Sequence, residues 1–490
     1  MKNILYTLII LFVSTISFAQ QSNTMYFLNQ TPQSTLLNPA FKSECKWYLG
    51  GVPAQITPVF GQVFSPISFN FNNTSFGLND FIHPGTGEYK DSLVIDMVQF
   101  VNSLHNYNYL TFDFQYELLS FGVKVKDYFF TFHATERVDF KFGYTRDLFQ
   151  IPLWGNGHPA NIGRTANMSF ALDFTHYREY AVGVSKEINN KLTVGGRAKL
   201  LMGMTNIDTK ANDNTWLTDA NTFDYIIENQ TEVNASLPFV NYLYTDSNTS
   251  GNIDSIEFDD FDPAAYLLMG KNKGASLDLG ATYKYTDRLT FSLSLVDLGF
   301  IRWKNNTFNF TNTGDIGFNG VDISQQLSVG YTEEGSLGVD GDSTANAFTK
   351  FADSLLQEFT FVDSSLYYTS YLTPKMYIGG NFKINEKFNV GALVKVEFYK
   401  KLIHPSLTLS ANSQLLKWLA ISGTYTMINR EYYNIGLGLS MKMGPFRMFW
   451  VNDNMLAFFM PHRSRSVNWR SGIYWAFGCK NEEKAKSTLY

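Results

Sequence analysis

The sequence predicts an all-β fold, a closed antiparallel transmembrane β-barrel of about fourteen strands, give or take two, on three observations. The first is alternation. Thr111, Asp113, Gln115 and Glu117 fall on one face of an extended chain, and Phe112, Phe114 and Tyr116 on the other. The pattern returns in segment after segment to Cys479. The second is composition. Aromatic residues reach 16% of the 490, with 43 Phe and 28 Tyr, yet the mean hydropathy is slightly negative. A barrel with lipid outside and water inside has this balance, because every second strand residue faces water. The third is the spacing of turns, in which short and long connections alternate as they do between the periplasmic and outer faces of such barrels.

The segments can be taken in order. The first, 47–57, opens on Trp47. Next come 109–125 and 128–142, parted by Lys126-Asp127; the second sets Thr131, His133, Thr135, Arg137, Asp139 and Lys141 against Phe130, Phe132, Val138 and Phe140. Asn189-Asn190 separates 167–188 from 192–203, where Leu192, Val194, Ala198 and Leu200 oppose Thr193, Arg197 and Lys199. Thr286-Asp287-Arg288 joins 275–285 to 289–300, and Asn385-Glu386-Lys387 joins 375–384 to 388–399. In the last of these Val390, Ala392, Val394, Val396 and Phe398 share a face opposite Lys395 and Glu397. The series ends with 405–412, 418–427, 433–442, 446–459 and 466–478, with a tight turn at Met443-Gly444-Pro445. Thr111, Asp113, Arg137, Arg197, Lys199, Asp278 and Lys395 are expected inside, and Phe112, Phe132, Leu279, Phe291 and Val394 outside. The long connections are 143–166, 204–274 and 298–374, and apolar spacing predicts helices over 96–104 and 345–359.

Lys2, an apolar stretch from Ile4 to Phe18 and the small residues Ser17 and Ala19 read as a signal peptide over 1–19, which implies export. The mature chain then divides into an N-terminal segment, 20–46, that could fold into the barrel as a plug, the barrel itself, 47–479, and a polar tail, 480–490. Beyond residue 20 no apolar run is long enough for a membrane helix. A net charge of −5 argues against nucleic acid as a partner. The location expected is the outer membrane.

Several stretches carry a family resemblance: Leu36 to Phe41, Gly274 to Tyr283, Asp297 to Trp303, Pro374 to Gly380 and Asn434 to Gly438. On these the chain resembles a domain-of-unknown-function family of outer-membrane barrels from bacteria with type IX secretion, similar in architecture to long-chain fatty-acid transporters. The resemblance implies fourteen strands and location, and hardly any activity.

One local motif points to a metal. Residues 246–257 match a twelve-residue EF-hand calcium loop, with Asp246, Asn248, Ser250 and Asp254 as oxygen ligands, Asn252 through its carbonyl, Gly251 at the sharp turn and Glu257 closing the site. Ser250 lowers the charge and the flanks are poor helix formers; a chance match in an Asn- and Asp-rich loop is the competing reading. Cys45 and Cys479 stand at the two ends that barrel closure brings together, so a disulfide and two free thiols are both open. The seven His are scattered, with no HExxH and no Gly-x-Ser-x-Gly elbow, so a non-catalytic protein is expected. Two functions remain: a channel or transporter for a small hydrophobic or amphipathic molecule, or a scaffold barrel for secretion or motility machinery that holds a protein partner with its long loops. Outer-membrane lipid surrounds the barrel in either case.

Overall fold

The computed structural model describes residues 23–479 apart from 29–30, 52–64, 88–89, 91, 156, 223, 239, 245–252, 259–261, 263–265, 267–269, 319–329, 332–336, 339–359, 365, 401, 429–430 and 461–463. The signal peptide expected over 1–19, the helix expected over 345–359 and the tail expected over 480–490 lie outside the described residues.

Fourteen strands close a single antiparallel ring. In chain order they are β1 (Trp47–Gly50, resumed at Ile67–Asn73), β2 (Tyr107–Val125), β3 (Tyr128–Thr145), β4 (Phe170–Glu187), β5 (Leu192–Thr218), β6 (Asn272–Lys284) and β7 (Leu289–Trp303). Then follow β8 (Tyr368–Tyr371, resumed at Lys375–Lys383), β9 (Phe388–Tyr399), β10 (Leu402–Leu416), β11 (Leu419–Ile428), β12 (Glu431–Met443), β13 (Phe446–Asn452) and β14 (Ser466–Phe477). Each pairs with the next. β1 closes the ring by pairing with β14 on one side and β2 on the other. Among the described residues the ring closes on itself and no strand of it is left as an edge, the condition for a sheet to cross lipid.

Side-chain parity follows the expectation. Arg137, Arg197, Lys199, Asp278 and Lys395 are buried inside. Leu279, Phe291 and Val394 stand 47%, 47% and 38% exposed on the outer face, joined there by Val182, Leu293, Ile378, Leu409 and Ile435. An apolar outer face, broken where Glu136 pairs with Arg178, around a ring with a charged interior places the protein in the outer membrane. Val394→Arg, at mid-strand in β9, should therefore cost roughly 2–4 kcal/mol in a denaturant titration of the folded barrel in lipid vesicles. An unchanged midpoint would remove Val394 from the lipid.

The tight turns are built by local chemistry. Asn189 Oδ1 accepts the backbone N–H of Lys191 and of Leu192, both at 2.8 Å, and Asn385 repeats the motif with Lys387 and Phe388, both at 2.9 Å. Lys126 and Gly444 take positive φ, 55° and 64°, at two others. These turns share the periplasmic end.

Three boundaries depart from the sequence reading. The first strand, expected over 47–57, leaves the ladder at Gly51, which has φ 64°, and 52–57 lie outside the described residues. The strand expected to end at Gly203 runs on to Thr218 and pairs with Tyr225–Ser236, which pairs in turn with Thr307–Phe318. Above the bilayer neither face need be apolar, so Asn206, Asp208, Lys210, Asn212 and Asn214 hide the extension. The strand expected to reach residue 459 ends at Asn452, and a short helix, Leu456–Phe459, follows. The helix expected over 96–104 forms at Met97–Ser103, with Asp96 accepting the N–H of Gln99 at 2.9 Å.

Candidate functional site

The interior holds two obstructions, one built from the N-terminal segment and one from charge. From Asn23 to Lys46 the described chain enters the lumen as two 3-10 turns, Thr24–Phe27 and Pro32–Leu36, that are buried throughout. The first turn is anchored by Asp453, which accepts the backbone N–H of Asn23 at 2.9 Å and of Thr24 at 2.7 Å. Tyr26 stacks on Tyr377 with centroids 5.6 Å apart and donates to Ser292 Oγ at 3.0 Å. Ser294 donates to the Leu37 carbonyl at 2.7 Å, and Arg197 to that of Thr35. Glycines in the wall admit this segment. A Cβ on Gly195 would collide with the Pro39 carbonyl, and one on Gly391 with the Phe27 ring.

Beyond that segment lies a layer of buried ion pairs. Lys199 Nζ sits 2.6 Å from Asp297, 2.9 Å from Asp278 and 3.6 Å from Glu179. Arg137 lies 3.3 Å from both Glu179 and Asp297, and Arg197 3.1 Å from Asp278. Lys375 joins the edge, 3.7 Å from Asp113 and 3.8 Å from Asp297. A bulge in β7 makes the centre possible. The register against β6 slips between Leu277 and Leu279, and Asp297, with φ 63°, donates its N–H to Asp278 at 2.8 Å while its carboxylate reaches Lys199 and Arg137. Beside the layer, His133 Nδ1 faces Glu117 at 3.2 Å and Nε2 faces Tyr48 Oη at 3.4 Å, while Gln33 of the inner segment donates to Glu117 at 3.2 Å. His133 is thus part of a paired polar wall.

A cavity of about 1040 Å³ opens above the layer, on the side away from the tight turns. Ile207, Leu298, Leu372 and Phe398 give it apolar surface, and Lys141, Lys210 and Lys400 stand among Asp139, Asp173, Asp208 and Asp213, so its charged lining is mixed. Lys400 is held 2.8 Å from Asp173, which also accepts from Tyr399. Below the inner segment, at the periplasmic mouth, a second cavity measures about 330 Å³.

The sequence reading placed Arg137, Arg197, Lys199 and Asp278 inside, and the fold joins them into one cluster. It did not single out Glu179, Asp297 or Lys375. Glu179 could have been found by continuing the inward parity of β4 from Tyr177; Asp297 could not, because the bulge breaks the parity that would locate it. Of the proposed calcium ligands, Asp246, Asn248, Ser250 and Asn252 lie outside the described residues. Asp254 and Glu257 fall on the strand Ile253–Phe258, which pairs antiparallel with Val240–Tyr244 and sets Glu257 opposite Asn241. Among the described residues no group of three or more His, Cys, Asp or Glu is arranged to hold a metal.

Residues 39–453 match the family of unknown function DUF5723. The chain belongs to that family. No curated protein matches it. Among solved structures, a Pseudomonas aeruginosa FadL homologue is similar at 10% identity over 94% of this chain and 100% of its own, with a TM-score of 0.36. The Ralstonia pickettii toluene transporter TbuX is similar at 10% identity over 91% of this chain and 94% of its own, with a TM-score of 0.39. The Pseudomonas putida toluene transporter TodX is similar at 8% identity over 94% and 93%, with a TM-score of 0.36. Identities this low transfer no ligand and no activity.

Proposed function

We propose that this outer-membrane barrel takes up a small hydrophobic or amphipathic molecule at its outer mouth and passes it inward through a lumen that is closed at rest. The observation that carries this reading is the cavity of about 1040 Å³ above the ion-pair layer, of ligand size and lined by apolar side chains together with lysines and aspartates. The layer and the inner segment lie below it, so passage requires both to move. The test is purification of the barrel from native membranes, followed by mass spectrometry of what it holds. A stoichiometric small amphipathic molecule, reduced by Leu372→Arg in the cavity wall, supports the reading. A clean cavity accompanied by a stoichiometric protein supports the second reading.

That second reading is a scaffold barrel serving secretion or surface-motility machinery. It is favoured by apolar side chains on the outer loops: Leu93, Ile95 and Val98 are 70%, 56% and 55% exposed on and beside the hairpin that precedes β2. Such a cluster suits a partner protein.

The calcium loop over 246–257 is a separate proposal supported by its sequence match. Calorimetry on the folded barrel should give weak, millimolar-range Ca²⁺ binding that Glu257→Gln abolishes. Binding unchanged by that substitution would leave Glu257 outside any site.

A further inference from the structure

The periplasmic mouth has its own chemistry. Its cavity of about 330 Å³ has an aromatic base, formed by Tyr26, Phe27 and Phe41 of the inner segment, and a rim that carries Lys42, Lys46, Lys124 and Lys284. Tyr26 and Phe41 meet edge to face with centroids 5.0 Å apart; Tyr26 and Phe27 are buried in the floor and Phe41 is half-buried. Threonines 193, 282 and 290 supply hydroxyls to the wall.

Strand parity decides which way the lysines face. Tyr48 is buried inside the ring against Gly122, so Lys46, two residues before it, and Lys124, two residues after Gly122, share the inner face. Lys284 follows Asp278, Gly280 and Thr282 on the inner face of β6, and Glu187 follows Glu179 and Ser185 on that of β4. All stand at the last inward positions before the periplasmic turns. The cavity therefore lies inside the ring on the periplasmic side of the inner segment, and lipid lies on the other side of the wall.

The charges do not balance. Glu187 pairs with Lys42 at 2.8 Å and acts on Lys124 and Lys284 at longer range, and Glu44 pairs with Lys442 at 3.2 Å, which leaves lysines in excess around the mouth. Lys46, Lys124 and Lys284 have no acidic partner within ion-pair distance among the described residues. Three like charges around one concavity repel one another, and an anion placed among them relieves that repulsion while accepting charge-assisted hydrogen bonds. The aromatic base below is suited to an apolar body, ring-sized by the volume available.

We propose that the periplasmic mouth is a binding site for a small organic anion, a carboxylate or phosphate ester whose apolar part rests on Tyr26, Phe27 and Phe41 and whose charge lies between Lys124 and Lys284. The site is distinct from the outer cavity and does not rest on the transport reading. It would bind an organic acid from the periplasm as readily as one that arrived through the lumen.

The probes are benzoate and phenyl phosphate, with benzyl alcohol as an uncharged body of the same size. Each is titrated by calorimetry into the full folded barrel in detergent. Saturable binding of at least one anion and none of the alcohol is expected. Lys124→Gln/Lys284→Gln should weaken the anion roughly tenfold or more, as loss of charge-assisted contacts does. Lys126→Gln, a charge change at the neighbouring turn and outside the cavity, should leave binding as it was. Comparison of the two anions tells a carboxylate site from a phosphate site. The variants change exposed side chains, and the heat-dependent shift of barrel migration on gels confirms folding; the single variants Lys124→Gln and Lys284→Gln repeat the test if the double variant fails it. Alcohol binding as tight as the anions, affinity unchanged in the lysine variants, or no binding of either anion at about 10 mM, a ligand excess at which even weak sites fill, would overturn the proposal.

Discussion

Lys199→Met is expected to cost the folded barrel about 3–5 kcal/mol, the range for breaking a buried ion pair by removing one partner. Lys199 Nζ lies within 4.0 Å of three carboxylates, those of Asp278, Asp297 and Glu179. Methionine preserves most of the stem's volume, so packing loss is small and the effect is electrostatic. Arg137, Arg197 and Lys375 stay beside the same carboxylates and hold the cost toward the lower end. Lys199→Met/Asp278→Asn should recover part of the loss, because it removes one of the stranded charges. Guanidinium unfolding of the refolded barrel measures both. A midpoint unmoved by the single substitution would mean that water screens the layer and that it contributes little.

The seam is the second place where one change should tell. Cys45 and Cys479 form a disulfide across a sequence separation of 434 residues, with Cα atoms 3.8 Å apart. The ends meet more closely than the 4.4–6.8 Å usual for bridged cysteines, since Lys46 donates its N–H to the Phe477 carbonyl at 3.0 Å and draws the two chains together. The unfolded chain loses loop-closure entropy through this link, so Cys45→Ser/Cys479→Ser should destabilise by up to about 5 kcal/mol, the top of the range for disulfides. The ladder of β1 against β14 already holds the ends in the native ring, so the effect should show mainly in the unfolded state and in refolding yield. On non-reducing gels the denatured wild type should migrate as a more compact band than the reduced protein, and the double variant should lose that difference. Identical migration of the oxidised and reduced chains would count against the bridge.

How much of this was legible in the sequence depended on what surrounds each residue. In lipid every outward side chain must be apolar, so Val390, Ala392, Val394, Val396 and Phe398 located β9, and the structure begins and ends that strand at Phe388 and Tyr399 as the alternation suggested. Where lipid stops the requirement stops too, and the upper half of β5 was invisible although it forms a long ladder, with one register shift at Glu232, against Tyr225–Ser236. The interior was legible in kind: charged residues had to face inward. Their pairing was not, because Asp297 reaches Lys199 and Arg137 only through a bulge that parity cannot foresee. The inner segment was legible as a length of chain ahead of the first strand. Its seat was not, since the contacts that fix it, such as Asp453 with the N–H groups of Asn23 and Thr24, lie more than 400 residues apart in sequence.

The central claim, a closed ring with lipid outside and a filled lumen, is tested most directly along β9. Both native cysteines are bridged, so a single cysteine introduced at each position from 389 to 398 can be spin-labelled alone in vesicles. Labels at 390, 392, 394 and 396 should be relaxed by oxygen, which dissolves in lipid, and not by a water-soluble nickel complex; position 398 borders the outer cavity and serves as the boundary. Labels at 389, 391, 393, 395 and 397 should be shielded from both, because Phe27 lies over Gly391 and the ion pair of Lys395 with Glu397 fills the wall above it. A strict period of two in oxygen accessibility is the predicted result. Strong nickel accessibility at 391 and 393 would contradict the filled lumen, and the loss of the two-residue period would contradict the barrel itself.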